Sequence, residues 1–224
     1  MSHDHSDPHG HAHEHGHAHA HPHPRQPDIE DGPLTHHMAL TEAVAALLQK
    51  KGILTGEELR RTVEDIDSRS PADGARVVAR AWTDPAYRQR LLEDVNAAAA
   101  ELGIDTGNIP IRAVESTDKV HQLVVCTLCS CYPRLLIGLP PDWYKARAYR
   151  SRAVREPRAV LREFGLELAD HVEVQVHDST ADMRYLVLPR RPEGTEGWSE
   201  EELAAIVTRD CMVGTAVPVA GEGH

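Results

Sequence analysis

No stretch of the 224-residue chain reaches the roughly 18 to 20 apolar residues of a membrane span, so a spanning helix is excluded. The N-terminus also lacks an apolar signal core, offering polar residues and histidine instead, and a cytoplasmic protein is expected. Positive charge is in short supply. With 24 Lys and Arg against 35 Asp and Glu, the net charge is −11, and no basic stripe is available to follow a phosphate backbone. Nucleic acid is set aside on that ground, and a small molecule or another protein is the expected partner. Cysteine is scarce too. Four unevenly spaced cysteines do not make a disulfide framework, and in a reducing compartment they are metal ligands or core residues. No internal repeat is found.

What is present is a hydrophobic content of 41%, enough to bury the core of one substantial domain with an appendage. Residues 1–33 hold ten histidines, most of them alternating with small or acidic residues ("HGHAHEHGHAHAHPHPRQP"), and almost no large apolar group. This composition cannot repay the entropy of ordering, and a disordered His-rich tail is expected there. Alternating imidazoles can also chelate divalent metal loosely, without implying a fixed geometry.

Residues 34–103 read as a helical arm for subunit association. Thr35 caps a first helix that Gly52 ends, and Thr55 with Glu58 forms a capping box for a second, with Leu59, Val63 and Ile66 on one face. Ser70-Pro71 opens a third helix, and Asp84-Pro85 a fourth that runs through Leu102 to Gly103. Beyond Gly103 the period changes. Strands are expected at 109–115, 121–126, 171–178 and 184–189, the last pairing with the alternating "HVEVQVHD" before it. Short helices are expected over 140–150 and 157–164, and another from a Ser199/Glu202 capping box to Val207. The fold class is therefore α+β, a helical arm followed by a layered α-β-β-α domain over 104–224.

Three of the four cysteines lie within six positions in "VVCTLCSCYPR", directly after an apolar run. Cys126, Cys129 and Cys131 leave the end of a strand in a tight turn, so their sulfurs can converge on one point. A structural zinc site wants a fourth side-chain ligand, and an iron–sulfur cluster has the same shortage. The chain itself can supply the rest. The amide nitrogens of Ser130 and Cys131 also point into the cluster and can bind, deprotonated, a strongly Lewis-acidic trivalent metal. Three sulfurs and two nitrogens would leave one position open for chemistry.

The "VCTLCSC" motif resembles the metal-binding motif of the nitrile hydratase family, which includes the alpha subunit of nitrile hydratase and the gamma subunit of thiocyanate hydrolase. The stretches "GARVVARAWTDPAYRQRLL", "GLPPDWYKARAYRSRAVREPRAVLREFG" and "RYLVLPRRPEGTEGWSEEELAAIVTRD" are similar to it as well, so the resemblance runs from about Met38 to Pro218. It implies a non-corrin cobalt(III) held by Cys126, Cys129, Ser130 and Cys131, one per chain. Thr127 in place of serine resembles the cobalt type more than the iron(III) type. It further implies that Cys126 stays a thiolate while Cys129 becomes a sulfinate and Cys131 a sulfenate. Ser130 would hydrogen-bond within the sulfur cluster, and arginines of a partner beta-type subunit would neutralise the oxidised sulfurs. The implied activity is hydration of nitriles to amides, with water at the metal or the sulfenate oxygen of Cys131 as the attacking group. A cobalt-loading activator protein is an implied second partner.

Two departures bear on the substrate. Where such alpha subunits read Cys-Tyr-Pro-Trp-Pro, this chain has Tyr132-Pro133-Arg134-Leu135, and a Gln-Gly-Glu stretch is absent from 104–112. Arg134 beside the metal would favour an anion, as would a gamma subunit of thiocyanate hydrolase, which converts thiocyanate to carbonyl sulfide and ammonia. Cys211 and the His-rich start lean the same way, whereas the helical arm, "GLPPDWYK" and "VREPR" lean to nitrile hydratase alpha. The alpha subunit is the first reading, the gamma subunit the second, and a non-enzymatic metal carrier the third. Cys211 reads as a small core residue, and Trp82, Trp143 and Trp198 as packing or interface anchors. Tyr144 and Arg155 are weak site candidates, since surface roles account for most residues of their kind. His121, His171 and His177 read as structural histidines in strands.

Overall fold

The computed structural model describes residues 35–220, so the His-rich tail expected over 1–33 lies outside the described residues. Helix α1 (His36–Lys50) starts where Thr35 accepts a hydrogen bond from the Met38 amide. Helix α2 (Gly56–Ser68) starts at the Thr55/Glu58 capping box, as the sequence predicts. Neither helix has a buried residue.

Helix α3 (Ala72–Thr83) is followed by α4 (Pro85–Glu93) and α5 (Val95–Glu101). The fourth helix expected through Leu102 is thus two. Asp94 leaves the helical conformation, and its carboxylate caps α5 by accepting from the Ala97 amide, a local bond that competes with helix continuation.

The remaining elements are β1 (Ile111–Glu115), β2 (Val120–Val125), α6 (Arg134–Ile137), α7 (Asp142–Lys145), α8 (Arg147–Arg155), α9 (Pro157–Glu163), β3 (Glu173–Asp178), β4 (Arg184–Leu188), α10 (Glu200–Ala205) and α11 (Arg209–Val213). The helices α6 and α11, which the periodicity does not reveal, are each little more than one turn long.

Strand β4 does not pair with β3, contrary to the sequence expectation. It pairs in parallel with β1, and β3 pairs in parallel with β2, giving two two-stranded sheets. The reason lies in burial. All of Leu186, Val187 and Leu188 are buried, and in β2 every residue from His121 to Val125 is buried, the signature of parallel strands covered on both faces. The "STADM" link between β3 and β4 holds no glycine or asparagine to make a tight hairpin, and it carries the chain across to the other sheet. Helices α4 and α5 pack on β1, while α8 packs on β2 and α9 on β3, so the two sheets lie between helices. The α+β class stands.

The core joins α3, the strands and α11 through Val77, Val78, Leu123, Leu186 and Met212, each fully buried. Helix α11 comes so close to β2 that a side chain at Gly214 could not fit. Gly214 has φ +92°, and a Cβ there would lie 2.0 Å from the Gln122 carbonyl oxygen. Five of the nine Phe, Trp and Tyr residues, namely Tyr132, Trp143, Tyr144, Tyr149 and Phe164, form one edge-to-face cluster around α7 and α8.

Candidate metal centre

The cysteines leave the C-terminal end of β2, the end of a parallel strand at which α/β sheets commonly bind ligands. Cys126 is fully buried, Cys129 is exposed and Cys131 lies between; all are free thiols. Their sulfurs lie within 4.8 Å of one another, with 3.3 Å between Cys126 and Cys129 and 3.0 Å between Cys129 and Cys131. The Cys129 amide donates to the Cys126 sulfur at 3.3 Å. The backbone of Ser130 and Cys131 lies close enough to the Cys129 sulfur to favour its thiolate.

These sulfurs lie close enough together to share one metal ion. With a metal–sulfur length of about 2.3 Å, two thiolates at a right angle stand about 3.3 Å apart, and at the tetrahedral angle about 3.8 Å. The two separations of 3.0 and 3.3 Å are nearer the right-angle value. The electrostatics are those of thiols sharing protons. Hydrogen bonds from Cys131 and Cys126 hold Cys129 below the usual thiol range, while burial, together with its bond to Cys129, pushes Cys131 up to about 12.

Side chains from distant parts of the chain hold the loop, and of these the sequence singled out only Tyr144. Asp178 ends β3 in register with Val125, and its carboxylate accepts from the Thr127 amide at 2.9 Å and the Thr127 hydroxyl at 2.5 Å. Arg150 donates to the Thr127 carbonyl at 3.4 Å. The Tyr144 hydroxyl donates to the Cys131 carbonyl at 2.9 Å. Tyr144, a weak site candidate in the sequence, is fully buried and not a surface residue; desolvation keeps its hydroxyl protonated by raising its pKa well above the tyrosine norm. The signal that was available for Tyr144 was its place in "PPDWYK", but nothing local says which carbonyl it reaches.

Cys129, Ser130 and Cys131 line one side of an open groove of about 950 Å³, with Arg134, Lys145 and Arg184 among its other walls. Arg134, in α6, is exposed, and its guanidinium has neither an ion pair nor a hydrogen bond among the described residues. Lys145 is paired with Asp142 at 3.2 Å. Arg184 was missed by the sequence reading; it stands near enough to Cys131 to favour its thiolate.

The other candidates stay apart from the cluster. Cys211 is buried in α11 with its sulfur 3.2 Å from the Thr208 hydroxyl. Buried His121 donates from Nε2 to the Gly214 carbonyl at 2.7 Å, and His177 donates from Nε2 to Gln122 at 2.6 Å, so both are satisfied structurally. His171 is exposed in the turn before β3 and not in a strand, which corrects that reading. Arg155 is exposed and donates to the Ser151 carbonyl. Trp82 donates to the Pro189 carbonyl at 2.8 Å, Trp143 joins the aromatic cluster, and Trp198 is half-buried.

The pattern of residues is shared with known proteins. Residues 35–216 match the family described as nitrile hydratase, alpha chain. The chain belongs to this family. Within it, the chain is similar to the cobalt-containing nitrile hydratase subunit alpha of Pseudonocardia thermophila, 50% identical over 181 residues that cover 79% of this chain and 88% of the relative. It is also similar to the thiocyanate hydrolase subunit gamma of Thiobacillus thioparus, 42% identical over 194 residues, covering 81% of this chain and 80% of the relative. A solved structure of recombinant thiocyanate hydrolase with partially modified cobalt centres superposes with a TM-score of 0.78 at 41% identity, covering 84% of this chain and 93% of that one. These nitrile hydratase family relatives are named as subunits. Among the described residues no helix is long and apolar enough to cross a membrane.

Proposed function

We propose that this chain is the alpha subunit of a cobalt-type nitrile hydratase, in which Cys126, Cys129, Cys131 and the amide nitrogens of Ser130 and Cys131 hold a non-corrin cobalt(III). The observation that carries the reading is the convergence of three cysteine sulfurs, within 4.8 Å of one another, on one loop. Similarity to a cobalt-containing alpha subunit supports cobalt over iron. When bound, the trivalent ion supplies a Lewis acid that polarises the substrate's carbon–nitrogen multiple bond towards attack by water.

The chain's own residues do the rest. Cys126 is sealed from solvent while Cys129 and Cys131 are open to it, which fits a thiolate at the first position and a sulfinate and a sulfenate at the other two, since oxidation follows access. Cys131, which would carry the sulfenate oxygen, borders the groove that would take the substrate. Ser130 is exposed on the same wall and tunes the sulfurs by hydrogen bonding. Such an anionic, open-sided cluster needs cationic cover, and a beta-type subunit supplies it with arginines. The uncovered apolar faces of α1 and α2 are the arm that grips this partner. The reading places the protein in the cytoplasm and calls for an activator protein to load cobalt.

A second reading, the gamma subunit of a thiocyanate hydrolase, is favoured by one observation. Arg134 borders the groove beside Ser130 and Cys131 with no acidic partner among the described residues, and a free guanidinium there suits an anionic substrate. The test is to co-produce the chain with its beta-type partner in cobalt and assay acrylonitrile, benzonitrile and thiocyanate. Nitrile hydration without release of carbonyl sulfide is the expected result, and Arg134→Trp should preserve it. Efficient thiocyanate turnover, lost roughly ten- to a hundredfold in Arg134→Trp, would reverse the ranking. About one cobalt per chain is expected, with added oxygen on Cys129 and Cys131 in the tryptic peptide, and Cys129→Ala should abolish both cobalt retention and activity. Full activity with three unmodified thiols would sink the mechanism.

A further inference from the structure

We propose that Tyr144 is a positioning residue for the cysteine loop, holding through its hydroxyl the backbone of residue 131, from which a sulfur and an amide nitrogen are both presented. The proposal rests on the reading that this loop holds cobalt. Among the described residues, no backbone group of residues 127–131 bonds to another backbone group, so the loop has no ladder or helix to fix it. Outside the sulfur cluster its anchors are side chains: Asp178 and Arg150 at Thr127, and Tyr144 at the Cys131 carbonyl. The first two hold one end of the loop. Tyr144 alone of the three reaches the other.

The geometry suits that task. The Tyr144 ring is fully buried and packs against Tyr132, Trp143 and Tyr149, with centroids at 5.0, 5.9 and 5.8 Å, so the hydroxyl cannot swing away. Its hydroxyl bonds to the backbone of the one residue that would offer two donors to the centre. Freed of it, residue 131 can turn about its own backbone bonds and carry its sulfur and nitrogen off the common point, and small departures of that kind weaken a metal site.

Tyr149 is the natural control. It is also buried, and its hydroxyl donates to a backbone carbonyl, that of Val124, at 2.6 Å, but this carbonyl lies inside β2 and not in the loop. Both Tyr144→Phe and Tyr149→Phe keep the ring and remove only the hydroxyl. Each variant, produced with the beta-type subunit in excess cobalt, is compared with wild type for three properties. These are the sulfur-to-cobalt absorption band, the fraction of tryptic peptide with oxygen added at Cys129 and Cys131, and the loss of cobalt to a chelator. The expected result is a shifted band, less oxygenated peptide and roughly tenfold faster cobalt loss in Tyr144→Phe, with Tyr149→Phe changing thermal stability alone. A wild-type band and oxygenation in Tyr144→Phe, or an equal shift in Tyr149→Phe, overturns the positioning role. If Tyr144→Phe cannot be purified, a fluorotyrosine placed at 144 keeps the bond and strengthens its donor, and it must move the band; an unmoved band overturns the role. A wild-type protein that holds no cobalt fails the metal reading itself, and this proposal with it.

Discussion

Helices α2 and α3 carry the same kind of sequence, an apolar stripe at helical spacing, yet they end in opposite surroundings. In α3, Val77 and Val78 are fully buried and Ala81 is 2% exposed, whereas in α2 Leu59 is 38% and Val63 48% exposed. Helix α1 repeats the α2 pattern with Val44 at 47% and Leu47 at 50%. Periodicity says which face needs cover, not where the cover comes from. The body of the chain covers α3 with α10 and α6, while the apolar faces of α1 and α2 stay exposed. An apolar stripe left open this way marks an interaction surface.

The sharpest test of this contrast is a pair of truncations in the isolated chain. Leu91, fully buried in α4, should lose about 2 to 5 kcal/mol on Leu91→Ala, lowering Tm by several degrees. On the arm, Val63→Ala should stay within about 0.5 kcal/mol of wild type. Equal losses in thermal melts would mean that the arm is already covered within the chain.

Next in size is the effect on assembly. Leu47→Asp and Val63→Asp each put a charge into the face assigned to the beta-type partner, and each should weaken association by roughly tenfold or more while leaving the isolated chain's melting curve in place. Unchanged affinity, measured by titrating the partner, would remove the arm from the interface.

A smaller contrast is one of pH. Burial lowers the pKa of His121, and that of His177 for the same reason, so the folded state favours neutral rings. The unfolded chain then binds more protons than the folded one once pH falls below about 6.5, and the stability present above that pH is lost on the way down. Tm should therefore decline from pH 7 to pH 5, and His121→Gln, which keeps a donor for the Gly214 carbonyl, should flatten the decline. An identical slope in the variant would show that His121 does not drive it.

What the sequence disclosed follows the same division between local and distant causes. The caps at Thr35, Thr55 and Ser199 were legible because each closes within three residues. The cysteine cluster was legible for the same reason, its members being spaced by three and two residues. Asp94 was equally local but was read as helix interior, although its side chain prefers a cap. The pairing of β4 with β1 across more than 70 residues had no local signal beyond the uninterrupted burial of β4. Asp178, Arg150 and Tyr144 belong with it, since each meets the loop only after two sheets and three helices have been brought together. Arg134 borders the same groove as the cysteine loop, and its unpaired guanidinium depends on what the fold leaves unpaired among the described residues.

The smallest effect is expected from removing residues 1–33 altogether. This segment has ten histidines before residue 24 and almost no large apolar side chain, and the family match begins only at residue 35. Neither a core contact nor a family feature is lost with it, so the truncated chain should melt with the wild type and turn over equally fast once loaded with cobalt. Loading itself is where a difference can appear. Alternating imidazoles bind divalent metal weakly and raise its local concentration, so uptake from limiting cobalt should slow in the truncated chain and recover in excess cobalt. A large fall in Tm on truncation would contradict this, because it would mean that a histidine-rich segment with little apolar surface supports the fold that the arm, with far more of it, does not.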